Sequence, residues 1–99
     1  MIFVVRTGAV APGKGVQAFG FAQKIVAYWK SNFDHDIELR RPIGGNPNRI
    51  AFAANYKDLI DYERVTQKSS TDQKYMELLA SGAECWIPGS INDELWRTA

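Results

Sequence analysis

The chain has 99 residues, which suffice for one domain and leave no room for a second core, so we interpret residues 1–99 as a single domain. Hydrophobic residues make up 45% of the chain and charged residues 23%, which is ordinary for a folded globular protein. The formal net charge is only +1 and no basic stripe is visible. This excludes a protein whose affinity comes from neutralising the phosphates of a nucleic acid.

A single cysteine, Cys85, excludes an intrachain disulfide and a cysteine-rich metal site. It lies in an apolar stretch, and we interpret it as a packed residue rather than a reactive thiol. No stretch approaches the roughly 20 apolar residues of a membrane span, and the apolar run at residues 2–5 is too short for a signal peptide. We therefore expect a cytoplasmic protein without a membrane partner.

The N-terminal half predicts a strand, a helix and a hairpin. "IFVVRTG" is rich in β-branched residues and predicts a first strand that ends at Gly8. From about residue 16 to 32, apolar residues recur at gaps of three and four and predict a helix with one wide apolar face. "RRPIGGNPNRIAFAANY" predicts a hairpin that pairs roughly 36–43 with 49–56 around a loop of Gly, Asn and Pro.

The C-terminal half predicts a helix interrupted in its middle and then an extended segment. "KDLIDYERVTQK" carries Asp58 and Asp61 near its start, where carboxylates oppose the helix dipole favourably. "SSTD" interrupts the helix, Ser70 with Gln73 is predicted to form a capping box for the next piece, and Gly82 ends it. "ECWIPGSINDELWRTA" predicts an extended segment kinked at its Pro-Gly pair.

The resulting order, β-α-β-β-α-β, is that of a ferredoxin-like α+β fold with a four-stranded antiparallel sheet. The helices can cover one face of such a sheet, yet residues 2–5 and 50–54 are apolar on both faces. The second face therefore needs a cover, and no predicted element remains to supply it. We predict a homodimer in which two sheets pack back to back; a monomer with an exposed apolar sheet face is the alternative.

Four stretches carry a resemblance to known proteins: "PGK" before the first helix, the hairpin "PIGGNPNRIAFAANYKDLIDYE", the split helix "SSTDQKYMELL" and the closing "IPGSINDELWR". Together they resemble the dimeric α+β barrel superfamily, in particular its antibiotic-biosynthesis-monooxygenase-like and NIPSNAP-like members. The resemblance implies a homodimer whose sheets close into a barrel, with a pocket between sheet and helices in each subunit. Members range from cofactor-free oxygenases, haem-degrading enzymes and cyclases to proteins without known activity, so the resemblance leaves the function open.

Two arginines fall among apolar residues on the predicted strands. Arg41 shares a face with Leu39 and Ile43, and Arg6 alternates with Val4. Either guanidinium could orient an anionic or carbonyl-bearing ligand. The alternative is an ion pair with a helix acid, or a side chain that reaches water at the rim of the sheet.

Aromatic residues are plentiful, and most of them must fill the core of so short a chain. Four of them are candidates for lining a flat apolar pocket that suits an aromatic or polyketide-like substrate. Together with the two arginines, the candidate ligand-binding residues are Arg6, Tyr28, Trp29, Arg41, Tyr56 and Trp86.

His35, the only histidine, excludes a multi-histidine metal site within one chain, and we expect neither a metal nor a cofactor. It lies between Asp34 and Asp36, and we interpret it as a solvent-exposed loop residue. The alternative is a haem ligand. In haem-degrading relatives that ligand comes from the second helix, and this region has no histidine here.

No set of residues has a spacing that demands catalysis, so the sequence identifies no catalytic residue. We expect a small hydrophobic or aromatic metabolite to bind between sheet and helices. As an enzyme, the protein would be a cofactor-independent monooxygenase or would perform related enolate chemistry. The alternative is a non-catalytic ligand-binding or structural protein of the same fold.

Overall fold

In the computed structural model, which describes residues 1–99, two segments rich in β-branched and aromatic residues and two shorter, more polar segments form one antiparallel sheet. They are β1 Ile2–Ala9, β2 Glu38–Arg40, β3 Arg49–Tyr56 and β4 Asn92–Arg97. The strands lie in the order β2-β3-β1-β4 across the sheet. β1 and β3 are therefore central, whereas β2 and β4 are edge strands.

Three α-helices cover one face of this sheet, α1 Gly15–Phe33, α2 Leu59–Ser70 and α3 Gln73–Ser81, and a turn of 3₁₀-helix, Ala83–Cys85, follows α3. The element order and the antiparallel sheet confirm the predicted ferredoxin-like α+β fold. None of the helices combines the length and the apolar character that crossing a membrane requires.

The second helical region consists of two helices, and an aspartate caps the start of each. The Asp58 Oδ1 atom accepts the backbone N–H of Asp61 at 2.8 Å and caps α2. The predicted cap of α3 at Ser70 is wrong, because Ser70 still belongs to α2. Asp72 caps α3 instead, and its Oδ1 atom accepts the backbone N–H of Tyr75 at 3.0 Å. The interruption at "SSTD" is confirmed, and its last residue provides the cap.

The hairpin between β2 and β3 is shorter than the sequence predicts. Only Glu38–Arg40 pairs, opposite Ala51 to Ala53, although the pattern extends from 36 to 43. Pro42 has no N–H to donate to the ladder, and the chain then runs through bends until β3 begins. The edge of the sheet therefore ends before Arg41.

Alternation along β1 and β3 directs one set of side chains towards the helices. Ile2 and Val4 lie on this face, with Tyr56 and Ala54 opposite them in register on β3. The main buried core forms here between sheet and helices and comprises Ile2, Phe21, Ile25, Trp29, Phe33, Ala54, Tyr56, Val65 and Tyr75.

A smaller buried cluster lies at the opposite end of the sheet, near the start of α1. Cys85 packs there with Ala18, Ala22 and Ile50. Its thiol is 5% exposed and unpaired, so it is a packed residue, as its apolar neighbours in the sequence indicate.

The other face of the sheet has an apolar centre that no helix covers. Phe3 stands opposite Trp96 of β4, and Val5 stands opposite Ala53 of β3. Trp96 is 57% exposed, and the Arg40 guanidinium lies 5.5 Å from the centre of the Phe3 ring. We call the surface formed by Phe3, Val5 and Trp96 the open face; Ala53 lies on the same side of the sheet but is only 3% exposed.

Gly82 provides a test of how closely the end of α3 packs against α1. A Cβ atom added at Gly82 would overlap the Phe21 ring, whereas one added at Gly20 would meet open space. We expect Gly82→Ala to lower the free energy of unfolding by about 1–3 kcal/mol through overpacking. The matched control Gly20→Ala should raise it by roughly 0.5–1 kcal/mol, because alanine is the better helix former. Urea unfolding followed by circular dichroism measures both, and equal effects would contradict the packing.

Candidate functional site

A cavity of about 510 Å³ separates the centre of the sheet from α2 and α3. It exists because small side chains face each other across this layer. Val4 and Ala54 form the floor, and Thr66 and Ser69 face them from α2. The Thr66 and Ser69 hydroxyls donate to backbone carbonyls of their own helix at 2.8 Å, so they add little polarity to the cavity. The volume lies within the range of about 300–1,000 Å³ that is typical of small-molecule sites.

One end of the cavity is apolar and is closed by Trp86. The centre of the Trp86 ring lies 6.2 Å from that of Phe52 and 6.4 Å from that of Phe21. A Cβ atom added at Gly8 would lie only 3.0 Å from Trp86 Cε3 and 2.9 Å from Ile91 Cδ1. The absence of a side chain at Gly8 therefore lets the indole and Ile91 lie directly on β1.

The other end of the cavity is lined by three tyrosines. Tyr56 and Tyr75 are 4% and 6% exposed, and Tyr62 packs edge-on against Tyr56 with 5.1 Å between ring centres. Burial raises the pKa of Tyr56 to about 12, and burial also raises the pKa of Tyr75. These hydroxyls therefore stay protonated at neutral pH and can donate hydrogen bonds into the cavity.

Two further aromatic side chains, His35 and Trp29, contact the tyrosine rings at this end of the cavity. The imidazole of His35 stacks on the Tyr56 ring with 4.3 Å between centres, so His35 is half-buried and not the exposed loop residue that the sequence predicts. The Trp29 indole N–H is buried close to the Tyr75 hydroxyl. It offsets part of the rise in the pKa of Tyr75, but it forms no hydrogen bond of good geometry. Both groups fix the orientation of the tyrosine rings.

An ion pair stands at the exposed side of the cavity. Arg6 donates from Nε to Asp93 Oδ1 at 2.7 Å and from Nη2 to Asp93 Oδ2 at 2.8 Å, and both residues line the cavity. The two residues stand opposite each other on β1 and β4. Their side chains are 54% and 34% exposed, so this side is the mouth of the cavity. The hydrogen bonds from Arg6 lower the pKa of Asp93, and those to Asp93 raise the pKa of Arg6.

No group of three or more His, Cys, Asp or Glu side chains is placed to hold a metal ion. The polar groups of the cavity are tyrosine hydroxyls and the Trp29 indole N–H at one end and one ion pair at the mouth, because the hydroxyls of Thr66, Ser69 and Ser70 donate to their own helix. Such an arrangement can hold an apolar body between aromatic rings and donate hydrogen bonds to an oxygen atom on it.

No protein-family model and no curated protein sequence matches the chain, but solved structures match its fold. A NIPSNAP family protein with unknown function from Agrobacterium tumefaciens superposes with a TM-score of 0.83 at 14% identity, over 100% of this chain and 88% of that one. A NIPSNAP domain protein from Burkholderia xenovorans superposes with a TM-score of 0.81 at 13% identity, over 100% of this chain and 95% of that one. This chain shares the fold of these NIPSNAP proteins.

The fold also matches that of a candidate antibiotic biosynthesis monooxygenase from Deinococcus radiodurans. The TM-score is 0.72 at 6% identity, over 100% of this chain and 93% of that one. The resemblance that the sequence shows to NIPSNAP-like and monooxygenase-like proteins is thus confirmed for the fold. At these identities the likeness shows the fold alone.

Four of the six predicted ligand-binding residues line the cavity: Arg6, Trp29, Tyr56 and Trp86. Arg6 also has the ion pair that the sequence left open as its alternative, although the partner, Asp93, lies on β4 and not on a helix. Arg6 lies on the same face of the sheet as Val4, as their alternation in the sequence indicates, and this is the face that the helices cover.

The other two predicted residues, Tyr28 and Arg41, lie away from the cavity. The Tyr28 hydroxyl lies 2.9 Å from the Asp72 carboxylate, and its ring stacks on Tyr75, so it joins α1 to the start of α3. Arg41 lies directly after the last residue of β2, and its guanidinium lies 4.2 Å from the centre of the ring of Phe19, a half-buried residue of α1. Alternation along a strand does not apply to a residue beyond its end, which is why the pattern misplaces Arg41.

Sequence analysis did not identify Tyr62, Tyr75 and Asp93 as site residues. Tyr62, Thr66 and Ser69 recur at gaps of four and three along α2, so their common face could have been read from the sequence. Asp93 could not, because its position opposite Arg6 depends on the register between β1 and β4.

The Arg6–Asp93 pair predicts a pH-dependent contribution to stability. A carboxyl whose pKa is lowered by folding stabilises the protein above its unfolded pKa, about 4, and this contribution is lost as the pH falls through the lower, folded pKa. Asp93→Asn should therefore reduce the free energy of unfolding by less than about 1 kcal/mol at pH 7, because the pair is partly exposed. Urea unfolding at neutral and strongly acidic pH measures this, with Glu77→Gln, at an exposed carboxylate on α3, as the control. A loss that persists unchanged in acid would contradict the ion pair as its cause.

Proposed function

We propose that the protein is a cytoplasmic homodimer that binds a small, mainly apolar or aromatic metabolite in the cavity between its sheet and helices. The observation that carries this proposal is the cavity of about 510 Å³, which is walled by apolar and aromatic side chains and supplied with polar groups at one end and at the mouth. A chain of this size that needed only a core would fill such a space, because an unfilled cavity lowers stability. The fold of the NIPSNAP neighbours supports the architecture and leaves the ligand open.

The parts of the cavity have different tasks in this proposal. Trp86 and Phe52 provide flat apolar surfaces for the body of the ligand, and the aromatic walls exclude water from it. The tyrosine hydroxyls orient the ligand by hydrogen bonding, since they remain protonated at neutral pH. Arg6 and Asp93 hold the mouth together by joining β1 to β4.

Binding without turnover is the form of this function that the site favours. Asp93 is the only carboxylate that lines the cavity, and its pairing with Arg6 lowers its pKa and makes it a weak base. The second candidate is cofactor-independent oxygenation or related enolate chemistry, which the fold of the Deinococcus radiodurans neighbour and the tyrosine donors favour. Consumption of dioxygen in the presence of a bound phenol would support oxygenation over binding without turnover.

The homodimer is proposed from the open face. Phe3, Val5 and Trp96 form an apolar surface on a sheet whose other face carries all the helices, and burying such a surface is favourable. A second copy brings the same surface, so the contact is self-complementary. Because the open face and the cavity use alternate residues of the same strands, each dimer would hold two separate cavities.

Filling the cavity tests the ligand-binding proposal. Phenylnaphthylamine, an uncharged dye that fluoresces in apolar surroundings, should bind saturably with one dye per chain. Val4→Phe places a ring in the cavity and should weaken binding at least about tenfold, because the added atoms occupy the ligand's volume. Val16 is 88% exposed on α1, so the control Val16→Phe should leave binding unchanged. Unaltered binding by a folded Val4→Phe variant would overturn the proposal.

A charge on the open face tests the dimer. The wild-type protein should sediment at twice the mass of one chain at micromolar concentration. Val5→Glu should shift it towards the monomer, since burying an unpaired carboxylate in an apolar interface is costly. Val16→Glu, at an exposed helical position, should remain dimeric. A folded wild-type monomer at this concentration would contradict the proposed assembly.

A further inference from the structure

The tyrosine end of the cavity holds a hydrogen-bond donor that has no partner within the chain. Tyr56 is 4% exposed and lines the cavity, and its hydroxyl forms no hydrogen bond to another residue. His35 on one side and Tyr62 on the other hold its ring, with 4.3 Å and 5.1 Å between ring centres. The Tyr56 hydroxyl is not among the fully buried polar atoms, of which only Trp29 Nε1 lacks a partner, so it is reachable from the cavity and a ligand oxygen there would accept its hydrogen bond. The donor is therefore fixed in place and open to a ligand.

The electrostatics of this end disfavour an anion. Arg6 and Asp93 are the only formally charged residues in the lining, and they satisfy each other in a bidentate pair. Burial, followed by the effects of Tyr62 and Asp61, raises the pKa of the Tyr56 hydroxyl to about 12, against the opposing effect of Arg6. The tyrosinate form is thus disfavoured at this position, and an ionised ligand oxygen placed there meets the same cost.

The geometry points to a ligand class, and we infer that the cavity selects molecules with an uncharged acceptor oxygen, such as an aromatic ketone, quinone or ester, over carboxylates of the same shape. Tyr56 is the residue that determines this specificity, because its hydroxyl donates to that oxygen while the apolar body of the ligand lies towards Trp86. This inference rests on the ligand-binding function proposed above, and it specifies which functional group of the ligand the site recognises.

Three probes of matched shape test the inference: acetylnaphthalene, isopropylnaphthalene and naphthoate, all substituted at the same ring position. Each is titrated at neutral pH against the protein loaded with phenylnaphthylamine, and displacement of the dye gives its affinity. The ketone should bind about three- to tenfold more tightly than the hydrocarbon, which is the range of one neutral hydrogen bond. The naphthoate should bind at least about tenfold more weakly than the ketone, because its charge loses solvation without gaining a partner.

Tyr56→Phe removes only the hydroxyl and keeps the ring in its stack with His35 and Tyr62. It should abolish the preference for the ketone while leaving the affinity for isopropylnaphthalene unchanged. Tyr28→Phe, which lies outside the cavity, should keep the full preference. Because the readout is a ratio of two affinities, a general loss of stability would not imitate it.

The possible failures are distinguishable. If naphthoate binds most tightly, Arg6 is the group that anchors the ligand and the inference is overturned. If the ketone and the hydrocarbon bind equally, or if Tyr56→Phe weakens both to the same degree, the cavity binds ligands but Tyr56 does not select them. If neither the dye nor any probe binds, the proposed ligand-binding function fails, and the inference fails with it.

Discussion

The alternation of side chains along β1 determines both surfaces on which the proposed function depends. β1 pairs with a strand on each side, so two neighbours fix its register and every residue is committed to one face. Val4 and Arg6 thereby reach the cavity, while Phe3 and Val5 form the open face. A slip of one residue would place the Arg6 guanidinium on the open face, away from the Asp93 carboxylate. The ion pair and the apolar face therefore specify the same register.

The cavity persists because the aromatic packing around it is rigid. At one end Trp86 rests on β1 where Gly8 has no side chain, and at the other the Tyr56 ring is held by His35. Trp86 rests on the backbone of β1, and His35, which does not line the cavity, supports Tyr56, so the space between the two rings does not have to be filled to keep them in place. Unfilled volume lowers stability, and natural proteins retain such a feature where function uses it.

The fold could be predicted from the sequence because its signals are local and mutually consistent. The periodicity of α1, the turn residues before β3 and the interruption at "SSTD" each indicate one element, and their order admits few topologies. The site could be predicted only in part. Trp29, Tyr56 and Trp86 could be proposed because large aromatic side chains are typical of an apolar pocket, whereas Arg41 lies beyond the end of a strand that Pro42 shortens. Asp93 depends on the register between the first and last strands of the chain, which no local pattern determines.

The Asp72 carboxylate, which caps α3 and accepts the Tyr28 hydroxyl, has a mechanical consequence for access to the cavity. It fastens the start of α3 to α1, and the contact between Gly82 and Phe21 fastens the end of α3 to the same helix. The two helices must therefore move together as one rigid roof. β4, in contrast, is an edge strand whose residues are all exposed. In the proposed function, a ligand would therefore enter along the seam between this roof and the β4 edge, where the Arg6–Asp93 pair is exposed, rather than through the helical layer.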